Sequence, residues 1–103
     1  MSSQQFEYEM GYTPSEFARV LEGNFTGAKS IYHANRLKPD HWRLGSLDSA
    51  IQIDLTLQQQ APRKLGQFSL PVLNARFAIT HASAQETQDF FVKFFKYFHK
   101  GGG

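Results

Sequence analysis

The stretch "SAQETQDFFVKFFKYFHK", residues 83–100, decides the fold because it combines a helix start signal with a dense run of phenylalanines. Ser83 followed three positions later by Glu86 is typical of a capping box, which predicts a helix from about residue 84 to 100. On a helical wheel one side carries all the phenylalanines of this segment: Phe90, Phe91, Phe94, Phe95 and Phe98. The lysines occupy the opposite side, so the pattern predicts a helix that covers a hydrophobic core.

A basic helix with one apolar side is also typical of helices that bind a membrane surface. Three predicted strands, however, each present an apolar face that needs a cover, and this favours the core interpretation. No run of about 18 apolar residues occurs, so no membrane-spanning segment and no membrane partner are expected.

The amino-terminal segment repeats the same order of strand, capping box and helix. "QFEYEMGY", residues 5–12, alternates apolar and polar side chains and predicts a half-buried strand. Thr13 and Glu16 form a second capping box around Pro14, which suits the first position of a helix. The pattern predicts a helix over 14–22 that ends at Gly23.

The middle of the chain predicts further strands. "KSIYHAN" and "HWRLGSL" indicate two short strands separated by a turn in "RLKPD", and "AIQIDLTLQQQ", residues 50–60, alternates cleanly. "APRKLG", residues 61–66, is interpreted as a turn. In "QFSLPVLNARFAIT", residues 67–80, the alternation changes parity at Pro71, which predicts a bulge or kink on an edge or bent strand.

These elements follow the order β-α-β(3–4)-α, without the parallel βαβ repeats of an α/β protein. We therefore expect an α+β fold with a curved antiparallel sheet and both helices on one face. A ferredoxin-like sandwich or a helix-grip-like arrangement is the nearest architecture. Residues 1–100 form one domain by length, and the glycines 101–103 form a tail that is either functional or an expression remnant.

Composition narrows the classes of function. The chain has no cysteine, which excludes disulfides, thiolate metal ligands and a cysteine nucleophile. The start "MSSQQFEYEM" lacks the features of a secretory signal, and a cytoplasmic location is expected. Residues 1–60 carry five Lys/Arg against seven Asp/Glu, whereas residues 61–103 carry six against two. The basic second half indicates an anionic partner.

Candidate catalytic chemistry is sparse. The four histidines show no metal-ligand spacing, and no phosphate-binding or nucleophile motif occurs. Glu7, Glu9 and Asp54 fit a solvated sheet face better than a carboxylate dyad. The aromatic residues of the strands point away from that face, which disfavours RNA binding by base stacking. We expect no cofactor, no metal and no catalytic centre.

These observations predict a small non-catalytic protein-interaction or assembly module that self-associates, for example as a dimer. The interface would use the strand kinked at Pro71 or the flank of the aromatic helix at Val92 and Tyr97. Basic residues would steer an acidic or phosphate-bearing partner. These residues are Arg36, Lys38, Arg43, Arg63 and Lys64.

The alternative function belongs to another class, the binding of a small apolar ligand between the sheet and the aromatic helix. A cavity of several hundred cubic ångströms would be needed there. The residues predicted to line it are Tyr8, Trp42, His81, Phe90, Phe94 and Tyr97.

Overall fold

The computed structural model of the chain describes residues 3–25 and 31–98. The elements are β1 (Gln4–Met10), α1 (Pro14–Asn24), β2 (Tyr32–Lys38), β3 (His41–Ser46), β4 (Gln52–Leu65), β5 (Phe68–Thr80) and α2 (Ala84–Tyr97). The predicted α+β class is confirmed. The glycine tail 101–103 and the predicted end of the last helix at 99–100 lie outside the described residues.

The five strands form one sheet in the order β1-β5-β4-β3-β2, and every neighbouring pair is antiparallel. Four of these strands follow α1, where the sequence predicted three or four. The first strand pairs with the last one, so β1 and β2 are the two edge strands of the described sheet. A ferredoxin-like sandwich follows the order β-α-β-β-α-β, which this chain does not have.

Both predicted capping boxes are present. The Glu16 amide donates to Thr13 Oγ1 at 3.1 Å, and the Thr13 amide donates to Glu16 Oε1 at 3.0 Å. At α2 the same two bonds join Ser83 and Glu86 at 3.1 and 2.9 Å. Each box satisfies amides that the first turn of a helix leaves unpaired, which fixes the start of each helix.

The core lies between one face of the sheet and both helices. Phe17 of α1 contacts Phe94 of α2, with ring centroids 6.2 Å apart, and also contacts Trp42 of β3 at the same separation. Ile53, Leu55, Leu73 and Ala75 are among the strand residues buried beneath them. Burying a phenylalanine contributes roughly 2–3 kcal/mol by area, so this aromatic cluster supplies much of the core energy.

Beyond the core, β4 and β5 continue as a hairpin that we call the arm, residues 58–70, all of which are exposed. The predicted turn at 61–66 is wrong, because β4 extends to Leu65 and only Gly66 and Gln67 form the turn. Gly66 has φ +61°, which a glycine adopts without strain at the first central position of a two-residue hairpin loop.

An irregularity does lie opposite Pro71, as a register shift between Gln60 and Arg63, but its extra residue belongs to β4 and not to the strand for which the sequence predicted it, and β5 lies between β1 and β4 rather than at an edge of the sheet. Two residues, Ala61 and Pro62, there oppose Pro71 alone, which is the residue count of a β-bulge. The bulge accommodates two prolines that cannot donate ladder hydrogen bonds. It therefore keeps the hairpin paired where the sequence signals suggested that the strand ended.

Candidate docking groove

The candidate site lies at the outer edge of β1, between that strand and one flank of α2. We call it the edge groove, a depression of about 510 Å³. Its lining consists of Gln4, Phe6, Tyr8, Ala84, Thr87, Gln88, Phe91, Val92 and Phe95. Among the described residues, no charged side chain belongs to this lining.

The two walls of the edge groove follow from the periods of their elements. On β1 the inward positions alternate, which places Phe6 and Tyr8 on the side of α2. On α2 the positions 84, 87, 88, 91, 92 and 95 follow the helical spacing of three and four, so they share one flank. An alternating strand and an amphipathic helix therefore meet with apolar side chains on both walls.

Aromatic contacts hold the walls together. Phe6 meets Phe91 edge-on at 4.9 Å between ring centroids, and Tyr8 meets Phe91 at 5.4 Å and Phe95 at 5.0 Å. These four rings are only half-buried, and Val92 is 68% exposed. Solvent thus reaches one side of an aromatic cluster, next to an edge strand whose outward backbone groups have no neighbouring strand within the described residues.

The five predicted basic residues fall into two separate regions. Arg36, Lys38 and Arg43 lie on the β2–β3 hairpin, whereas Arg63 and Lys64 lie on the arm. The structure therefore does not bring these five residues together in one binding surface.

Three of these cations already have acidic partners. Arg43 donates to Asp54 at 3.0 Å, Arg63 pairs with Glu9, and Arg36 lies 3.9 Å from Glu22 and over the ring of Trp42. Within residues 3–25 and 31–98, Lys38 and Lys64 have no acidic partner within 4.0 Å. The Arg63–Glu9 pair ties the base of the arm to the edge strand.

The residues of the predicted ligand pocket also separate. Trp42, Phe90 and Phe94 are fully buried, and the rings of Phe90 and Phe94 are 5.7 Å apart. Tyr97 lies edge-on to Phe25 at the far end of α2. His81 is exposed in the loop before α2 with φ +56°, and of the six residues only Tyr8 lines the edge groove.

The outer face of the sheet carries a second, polar depression of about 550 Å³, beside Ala78. Arg76 donates to Glu7 at 2.6 Å, and this hydrogen bond is the main reason why the pKa of Glu7 lies below its usual value. Partial burial raises the pKa of Asp54, but hydrogen bonds from Arg43 and Gln52, together with the positive charge of Arg43, outweigh it and leave that pKa lowered. The carboxylates here are compensated locally, as on an ordinary solvated sheet face.

The described residues contain no group of three or more His, Asp or Glu side chains that could hold a metal ion. None of the described helices has the length and apolar character needed to cross a bilayer.

Sequence reasoning identified part of the edge groove. It named Val92 and Tyr8, but it assigned Phe91 and Phe95 to the core stripe and did not single out Phe6. It also missed the exposed apolar residues of the arm, Leu65, Phe68 and Leu70. The sequence carries a signal for this hairpin, since Leu65 and Phe68 flank a Gly-Gln pair with glycine at the first position of a two-residue loop.

Comparisons with protein-family models, with curated proteins and with solved structures find no match to this chain.

Proposed function

We propose that this protein is a non-catalytic assembly module that docks an extended segment of a partner polypeptide in the edge groove. The observation that carries the proposal is the half-exposed aromatic cluster of Phe6, Tyr8, Phe91 and Phe95 beside the free edge of β1. An added strand would pair with the backbone of β1 and place alternate side chains under the flank of α2. This is the strand-addition mode of peptide recognition.

The side chains that line the groove indicate what kind of polypeptide segment would bind there. Its lining is apolar and aromatic with a few amide and hydroxyl groups, so the inward side chains of the added strand would be apolar. Val92 supports this choice because a valine that is 68% exposed gains free energy when a partner removes it from water. The backbone of the partner would supply affinity, and its alternate side chains would supply specificity.

A small apolar ligand is the rival occupant. The groove has the size that is usual for small-molecule sites, although it is open and lies at the sheet edge rather than among Trp42, Phe90 and Phe94. The open shape and the unpaired strand both favour a polypeptide.

The helix-grip-like architecture, the cytoplasmic location and steering by the basic residues stay predictions.

Selection of a random 12-residue peptide library on the immobilised protein tests the proposal. We expect enriched peptides with apolar residues at alternate positions, and we expect Val92→Glu to abolish their binding because it places a charge in the groove. Leu47→Glu is the matched control, since Leu47 is 75% exposed on the loop after β3, outside the groove. Equal binding to the Val92→Glu protein and to the wild type would overturn the proposal, and so would loss of binding in the control alone.

A further inference from the structure

The arm of the protein presents a second exposed apolar surface, distinct from the edge groove. Antiparallel pairing sets Leu65 opposite Phe68 and Arg63 opposite Leu70, so these four side chains share one face of the hairpin. Phe68 is 75% exposed, and Leu65 and Leu70 are about half exposed. The opposite face carries Lys64 and Ser69. Among residues 3–25 and 31–98, nothing covers the apolar face of the arm, and no strand occupies the edge groove.

We infer that the strand which occupies the edge groove is the arm of a second copy of this chain. The inference rests on the proposed function and names the partner. Copies would associate head to tail, with the arm of one protomer in the groove of the next.

The spacing of side chains supports this occupant. Phe68 and Leu70 are two residues apart on β5, and Phe6 and Tyr8 are two residues apart on β1, so both pairs follow the same repeat of a strand. An arm strand that pairs antiparallel with the outer edge of β1 would place Phe68 and Leu70 in line with the aromatic wall of the groove. Side chains of the other face, Lys64 and Ser69, would then lie on the outer side with Glu7 and Glu9.

The edge of β5 that pairs with β1 also supports the arm as the occupant of the groove. Within the chain, β1 pairs with β5 only from Leu73 to Ile79. The same edge of β5 continues from Phe68 to Val72 beyond the end of β1. The backbone edge that pairs with β1 inside a protomer is thus free, along the arm, to pair with the β1 of a neighbour.

Charge distribution favours this pairing over direct contact between two β1 strands. No Asp or Glu occurs from residue 55 to residue 85, so the arm is purely basic, and no Lys or Arg occurs before Arg19, so β1 carries only acidic charges. The Arg63–Glu9 pair already joins these two segments within one chain. A two-fold β1–β1 dimer centred on Glu7 would instead set Glu7 opposite Glu7, and like charges directly opposite each other are destabilising.

A head-to-tail contact uses different surfaces on its two sides, so it propagates into a ring or an open chain. Because the two surfaces differ, two variants that each lack one of them can be tested for association with each other. Phe68→Glu disables the arm but leaves the groove, and Val92→Glu disables the groove but leaves the arm. Each variant alone should stay monomeric, and an equimolar mixture should form a one-to-one dimer that grows no further.

Sedimentation velocity of the full chain over a concentration series measures this directly, with circular dichroism to verify that each variant is folded. We expect the wild type and the Leu47→Glu control to associate as the concentration rises. At low salt, Lys64→Glu should weaken association by about tenfold or more. The reason is that the attraction between Lys64 and the glutamates of the neighbour's β1 becomes a repulsion. A wild-type protein that associates while the mixture of variants stays monomeric would overturn the inference. A wild-type protein that is monomeric throughout, yet still binds library peptides in its groove, would overturn the inference and leave the proposed function standing.

Discussion

Phe91 of α2 meets Phe6 of β1 edge-on, with ring centroids 4.9 Å apart and ring planes inclined by 70°. This contact joins the helix flank to the edge strand at the position where the sheet ends. Both rings remain half-buried, whereas Phe90 and Phe94, on the neighbouring side of the same helix, are fully buried. The aromatic stripe of α2 therefore serves two surfaces, a closed core and an open groove.

The two surfaces predict opposite outcomes for phenylalanine substitutions. Phe94→Ala should lower the free energy of unfolding by about 3–5 kcal/mol, because it leaves a cavity in a packed core. Phe68→Ala removes a ring of the same size from the exposed arm and should change stability by less than about 0.5 kcal/mol. Urea denaturation measures both. A loss of several kcal/mol for Phe68→Ala would mean that the arm is structural rather than a docking element.

The capping box at α2 predicts a moderate effect from a small change. Ser83→Ala removes the hydroxyl that accepts from the Glu86 amide at 3.1 Å, and it should cost about 1 kcal/mol of stability. Ser69→Ala, on the exposed arm, is the matched control and should be close to neutral. Chemical denaturation of both variants distinguishes the cap from a general effect of removing serine. Equal stability of the two variants would argue against a stabilising box.

The carboxylate of Glu86 predicts a dependence on pH. The hydrogen bond from the Ser83 amide is the main cause that holds the pKa of Glu86 below its usual value of 4.5. Since the folded-state pKa is lowered, its stabilising contribution is present above pH 4.5 and is lost as the pH falls through the folded pKa. Glu86→Gln keeps an acceptor but does not titrate. The difference in free energy of unfolding between wild type and variant should therefore shrink below pH 4.5, and a constant difference down to pH 2 would contradict this cause.

The basic pair on the arm predicts little change in stability. Arg63 pairs with Glu9, but both side chains are more than half exposed, and such pairs contribute about 0–1 kcal/mol. Replacing both Arg63 and Lys64 by glutamate should therefore leave the melting temperature nearly unchanged while it weakens association. Scanning calorimetry measures the first effect. A fall of many degrees would assign these residues a structural role instead of a place at an interface.

Local physical chemistry explains what the sequence could predict. Both helix starts were predictable because a capping box depends on residues three positions apart, Thr13 with Glu16 and Ser83 with Glu86. The place of the register shift was predictable in part, because Pro71 cannot donate a ladder hydrogen bond, although the extra residue lies in β4 opposite it. The start of α2 and the facing of its buried phenylalanines followed from these local rules.

Long-range pairing explains what the sequence could not predict. Residues 61–66 suggested a turn because Pro62 is a turn former, but the bulge opposite Pro71 lets the hairpin pair past it. The edge groove depends on β1 pairing with β5, sixty-nine positions apart at Glu7 and Arg76, and no local pattern encodes that neighbour. Phe91 and Phe95 therefore resembled core residues, although they face a sheet edge.

Amide hydrogen exchange of β1 is the direct test of strand addition in the edge groove, because an added strand forms hydrogen bonds with the backbone of β1. With a library-selected peptide bound, the amides of Gln4–Met10 that do not bond to β5 should exchange more slowly, and those at the free edge of β2 should not change. The Val92→Glu protein with the same peptide should show no slowing. Unchanged exchange in β1, or slowing at the β2 edge alone, would contradict docking in the edge groove.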